Sequence, residues 1–179
     1  LARATWDTGW FQAEVIRELL ERLGYHVDGP TTLENAAFYA AVAAGEVDLW
    51  ANGWFPLHEQ YLADLPDPGA AVPVGTAVRG GALEGYLIDR ATAEAHGIDS
   101  LDDLRDPRLA RLFDRDGDGR ADLIGCNPDW ACAASIDAHL DALDLRATVE
   151  QVQGDYSPLM AEAVDRFGSL DIVLANAGV

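Results

Sequence analysis

Apolar positions recur along this chain with two alternating periods, short apolar runs and longer stretches of helical spacing. Residues 2–6 read as a first strand, closed by Asp7–Thr8–Gly9. Asp7 or Thr8 can cap a helix over 10–23, with Phe11, Val15, Leu19, Leu20 and Leu23 on one face and Gly24 as its stop. Residues 25–27 begin a second strand before the turn signal Asp28–Gly29–Pro30. An alanine-rich helix follows over 33–44, and 47–52 reads as a buried strand running into Gly53–Trp54–Phe55–Pro56–Leu57–His58. This rhythm of strand and helix predicts βαβ units and an α/β fold with a mostly parallel sheet. Ligands of such sheets bind where strands end and loops begin, and the loop 54–58 occupies such an end.

Residues 64–75 hold three prolines and little periodicity, so they read as a connector between two lobes, 1–73 and 74–179. In the second lobe, 85–89 and 121–125 read as strands and 92–96 as a short helix. Residues 100–113 read as helical, with Ser100 and Asp103 forming a capping box and Pro107 as an interruption. A helix over 129–143, a strand over 148–153, a helix over 157–167 and a last strand over 171–175 complete the pattern.

Composition narrows the partners. The net charge is −19, from 31 acids against 12 bases, which disfavours nucleic acid and anionic lipid, and nearly half of the residues are hydrophobic. No apolar run approaches the roughly 20 residues of a membrane span. The two cysteines, Cys126 and Cys132, are too far apart for a redox Cys-x-x-Cys pair and too few for a zinc site. A short-loop disulfide is the better reading, which implies an oxidising compartment, and two buried thiols are the alternative.

Three features carry candidate chemistry. Asp114, Asp116, Asp118 and Asp122, with Gly119 in the sixth position, match the opening of a calcium loop, but the twelfth position is Gly125 instead of glutamate. An acidic turn closed by its own hydrogen bonds is the alternative, and calcium is the only cofactor the chain suggests. Trp54 and Trp130 lie at strand ends in different halves, where their faces could attract a cation across a cleft. His58 and the helix start within 125–132 offer N–H donors to an anion. Trp6, Trp10 and Trp50 are explained by packing. No Ser–His–Asp set, nucleophile elbow, Walker loop or paired-histidine motif is present, which favours binding over catalysis.

The run from Phe113 through Gly117–Asp118–Gly119, Ala121–Asp122–Leu123, Gly125–Cys126–Asn127–Pro128, Trp130 and Cys132 resembles the substrate-binding proteins of glycine betaine/proline betaine ABC importers. Leu23–Gly24–Tyr25, Asn52–Gly53–Trp54–Phe55–Pro56–Leu57–His58 and Tyr86–Leu87–Ile88–Asp89 share that likeness, which covers about residues 4–167. It implies a two-lobed, type II periplasmic-binding-protein fold, here truncated, closing on a quaternary-ammonium zwitterion. By position, Trp54 and Trp130 resemble two walls of its aromatic cage, and His58 with the N–H groups of Ala131 and Cys132 its carboxylate site. The implied partners are a betaine-like ligand and a membrane ABC permease, with the protein monomeric, periplasmic or extracellular, and lipid-anchored or free. A choline-type amine is the neighbouring specificity. Asn176 stands where the family places a third cage tryptophan, and 165–179 resembles the Asn-Ala-Gly strand of short-chain dehydrogenases, a remote second reading. Asp129 replaces a usual glycine and could compete with the ligand's carboxylate.

Overall fold

The computed structural model describes residues 1–80 and 84–153 and the backbone of 172–174. The chain separates into two compact units, Leu1–Gly75 with Asp129–Ala131, and Thr76–Pro128 with Cys132–Val179.

In the first unit, β1 (Ala2–Arg3) leads into α1 (Asp7–Arg22), and β2 (Thr31–Thr32) pairs with β1 in parallel, Ala2 opposite Thr31. α2 (Asn35–Ala43) follows, and Trp50 adds a single parallel bridge to Ala2. α3 (Glu59–Ala63) then closes a turn over 55–58. Ala2, Phe38 and Tyr39 form the buried centre, with Trp50, Tyr61 and Leu65 packed against them.

Three expectations change here. The second strand is not at 25–27: Tyr25 is exposed, and pairing begins only at Thr31, past the Gly29–Pro30 turn. The stretch 47–52 contributes one bridge and an N–H···O bond from Ala2 to Leu49 in place of a full strand. The apolar stripe of α1 also faces outward, Phe11 being 72% and Leu23 74% exposed, with Val15 and Leu19 exposed between them. The buried face is the small-residue pair Gly9 and Ala13. A methyl group on Gly9 would come within 2.5 Å of the Ala4 Cβ, so the helix approaches β1 through its smallest residues. Close backbone approach, more than side-chain bulk, decides which face turns inward.

In the second unit, β3 (Tyr86–Ile88) pairs antiparallel with β6 (Ile172–Leu174), and β4 (Ala121–Ile124) pairs in parallel with β5 (Val149–Val152). α4 (Arg90–His96) starts on an Asp89 cap and ends at Gly97, whose φ of 65° is the left-handed conformation a helix stop uses. The Ser100–Asp103 capping box is present. Pro107 opens α5 (Pro107–Ala110), the first helical turn being where proline's missing N–H costs nothing, and 3₁₀ turns flank it. α6 (Ala131–Ala142) and β5 enclose a core that includes Leu101, Ala121, Leu140, Leu145 and Val149. The described strands thus form three two-stranded sheets, two parallel and one antiparallel. The helix expected over 157–167 and Asn176 lie outside the described residues.

Candidate functional site

The residues that gather in the first unit begin at the junction of β1 and α1. Trp6 immediately precedes the helix in an extended conformation, and its indole N–H donates to Asn52 Oδ1 at 2.6 Å. Trp54 donates to the same oxygen at 2.8 Å. The Asn52 amide donates in turn to Gln12 of α1. Asn52 is only 6% exposed, so both lone pairs of its carbonyl and one of its amide protons are used inside the protein.

Trp130 is returned to this unit by the short segment 129–131. Its indole N–H donates to Thr5 Oγ1 at 3.0 Å, and its ring meets Trp6 edge to face, centroids 5.5 Å apart at 72°. Trp6 also meets Trp50 at 6.2 Å, and Trp50 stacks on Phe38. Trp54 and Trp130 therefore share one unit and are joined through Trp6 and Asn52. Trp6, Trp54 and Trp130 are each half-buried.

His58 ends the turn that starts at Trp54, its N–H bonding the Trp54 carbonyl at 2.7 Å. The ring is 2% exposed among Tyr39, Phe55 and Tyr61. Burial pushes its pKa down to about 4, so the imidazole is neutral at pH 7. Tyr39 Oη lies 3.1 Å from His58 Nδ1, and burial, with the Tyr61 charge as a smaller cause, pushes the phenol up to about 12. The neutral imidazole has one donor and one acceptor nitrogen, and a phenol that donates to Nδ1 leaves the proton on Nε2.

Ala131 and Cys132 open α6 (Ala131–Ala142). Cys126 and Cys132 are disulfide-bonded, with Cα atoms 6.0 Å apart, so a covalent loop fixes the approach to the helix. Asp129 is exposed, and its charge adds to burial in raising the Glu34 carboxyl.

The acidic loop lies apart from these residues in sequence and closes on itself. Asp114 accepts the N–H groups of Gly117 and Gly119, Asp116 that of Asp118, Asp118 that of Arg120, and Asp122 that of Arg115. The Arg120 guanidinium bridges Asp118 and Glu150. Carboxylate oxygens of Asp114, Asp116 and Asp122 lie within 4.8 Å of one another. Every expected calcium ligand thus already accepts a backbone N–H, and an arginine supplies positive charge within the cluster.

The contacts of Tyr39, Asn52 and Trp6 with the expected site residues were not read from the sequence. Asn52 carried the one usable signal, a carboxamide at the end of an apolar run and two positions before Trp54.

Residues 1–177 match the family described as the substrate-binding domain of the ABC-type glycine betaine transport system. The chain belongs to that family. A glycine betaine/proline betaine-binding periplasmic protein of Salmonella typhimurium is 39% identical over 157 residues. A glycine betaine-binding periplasmic protein of Dickeya dadantii is 41% identical, and a glycine betaine/proline betaine-binding periplasmic protein of Escherichia coli is 38% identical over the same length. Each alignment covers 88% of this chain and 47% of the relative, so the chain spans about half the length of the relatives it matches. The family match runs through most of the atypical stretch 165–179. The family is one of substrate-binding transport proteins with a periplasmic-binding-protein-like fold, and the helices and small sheets of this chain are compatible with an α/β member of it.

Proposed function

We propose that this chain binds a quaternary-ammonium zwitterion, glycine betaine or proline betaine, and serves an ABC importer as its periplasmic or extracellular substrate-binding component, without catalysing a reaction. The observation that carries this reading is the set of half-buried indoles whose N–H edges are tied to Asn52 and Thr5. A fully methylated nitrogen has no hydrogen to donate, so it is held by ring faces through cation–π attraction of about 0.5–2 kcal/mol per ring. Tethering the N–H edges leaves those faces as the surface offered. Trp54 and Trp130 are the cage walls in this reading. His58 Nε2–H and the N–H groups of Ala131 and Cys132 take the carboxylate, the helix start adding its partial positive charge. The fold that goes with this function is the two-lobed type II arrangement, of which the chain spans part.

Tryptophan fluorescence titrated with glycine betaine, proline betaine and choline tests the proposal. Saturable change with the two betaines is expected. A folded sample that gives no response at millimolar ligand contradicts it. A stronger response to choline than to either betaine moves the specificity to amines without a carboxylate.

A further inference from the structure

Two buried polar side chains of the first unit meet, one from a helix and one from a turn. Tyr39 is 4% exposed and lies with Asn35 and Phe38 on the buried stripe of α2, at helical spacing. Its hydroxyl lies 3.1 Å from Nδ1 of the buried His58. A phenylalanine would supply the same ring without needing a partner, so packing alone does not account for the hydroxyl. Two neighbours hold the phenol ring: it stacks on Tyr61 at 5.2 Å and 12°, and meets Phe38 edge to face at 4.9 Å. The imidazole stands nearly perpendicular to the same Tyr61, at 87°, and the His58 backbone N–H is tied to the Trp54 carbonyl. Hydroxyl and imidazole are therefore fixed relative to each other from both sides of the bond.

The direction of that bond follows from the proton inventory. A phenol has one proton, and among the described residues Nδ1 is the one partner of the Tyr39 oxygen. Burial pushes the phenol up to about 12, so it keeps its proton at pH 7. Were Nδ1 to carry the imidazole proton, the phenolic hydrogen would be buried without an acceptor, a condition folded proteins avoid. Nδ1 is thus the acceptor, and the single proton of the neutral ring sits on Nε2.

We infer that Tyr39 is a positioning residue for the ligand's carboxylate, its hydroxyl locking His58 in the Nε2–H tautomer so that a neutral N–H faces the anion. The opposite tautomer would turn a lone pair towards the carboxylate and repel it. A neutral donor also suits a ligand whose own cation lies close by, because an imidazolium would repel that cation. The role rests on the betaine-binding reading above and adds the residue that selects the state of its donor. It bears on the anionic end alone, so it sets how well a zwitterion is told from a simple cation.

Nitrogen-15 NMR of the 179-residue chain, labelled in its four histidines, reads the tautomer directly. His58→Gln identifies the His58 signals by their loss. The wild type at pH 7 is expected to show a bare Nδ1 and a protonated Nε2. Tyr39→Phe, which removes the hydroxyl and keeps the ring, is expected to shift the Nδ1 signal and admit the Nδ1–H form. Calorimetric titration reads the consequence. Tyr39→Phe is expected to weaken glycine betaine about three- to tenfold, and tetramethylammonium, which has no carboxylate, by less than about twofold. In a His58→Ala background the same change is expected to alter glycine betaine binding by less than about twofold, because the hydroxyl acts through the imidazole. Equal weakening of both ligands, or unchanged glycine betaine binding in folded Tyr39→Phe, overturns this inference alone. So does a proton on Nδ1 in the wild type, a result that needs no folded Tyr39 variant. No binding of glycine betaine by the wild type overturns the betaine reading and the carboxylate role of Tyr39 with it.

Discussion

His58 shows how burial selects the chemistry of a donor. In the unfolded chain an imidazole titrates near 6.5, whereas in the folded protein burial holds it at about 4. The unfolded state therefore binds the extra proton first as pH falls. Stability owed to His58 is complete above about pH 6.5 and is lost between there and about pH 4, at most about 3 kcal/mol. Chemical denaturation of wild type and His58→Gln across pH 4–7 checks this: the stability difference is expected to shift against the wild type on acidification, and parallel curves would contradict it. The proposed carboxylate role of His58 is tested at the same residue. His58→Ala is expected to weaken glycine betaine by about tenfold or more and choline by less than about threefold, since only the first brings a carboxylate to Nε2. Equal losses for the two ligands in paired titrations would remove the carboxylate role. Trp54, His58 and Trp130 could be put forward as site residues because their chemistry is unusual for a loop or a helix start. The tie between Trp6 and Asn52 was not legible, because it is a hydrogen bond spanning 46 positions of sequence.

At the scale of elements, helix boundaries carried by capping residues were readable: Asp89 and Gly97 bound α4, and Ser100 with Asp103 opens the turn that follows. Strands were read less well. Each described strand has two to four residues, and its limits are set by a partner elsewhere, so an apolar run such as 47–52 says little about where pairing stops. α1 misled because its large apolar residues are exposed while Gly9 and Ala13 make the contact. Glycine to alanine inside a helix ordinarily gains up to about 1 kcal/mol. Here Gly9→Ala is expected to cost about 1–3 kcal/mol in urea unfolding, because the added methyl meets Ala4. A gain would mean that α1 does not pack so closely. Replacing Cys126 and Cys132 by serine together opens the covalent loop and is expected to cost about 2 kcal/mol by the same measurement. The aspartates of the acidic loop already have backbone donors and an arginine, so a chelator is expected to leave the melting temperature unchanged. A rise in melting temperature on adding calcium would instead make the loop an ion site, since a ligand of the native state alone must stabilise it.

On the scale of the whole molecule, the chain carries two compact units and about half the length of its relatives. The α/β class and the family followed from the sequence because the run from Phe113 to Cys132 holds glycines, a cysteine pair and a tryptophan in a spacing that few folds would need. The pairing of strands within each unit did not follow, because it depends on which short segments lie side by side. The central claim is that ring faces hold a permanent cation. Calorimetry comparing glycine betaine with 3,3-dimethylbutanoate tests it most directly, because the two have similar shape and the same carboxylate while only the first carries positive charge on its trimethylated centre. The account predicts that glycine betaine binds at least about tenfold more tightly, a difference of about 1.4 kcal/mol within reach of the aromatic contacts. Equal affinity for the uncharged isostere would contradict it.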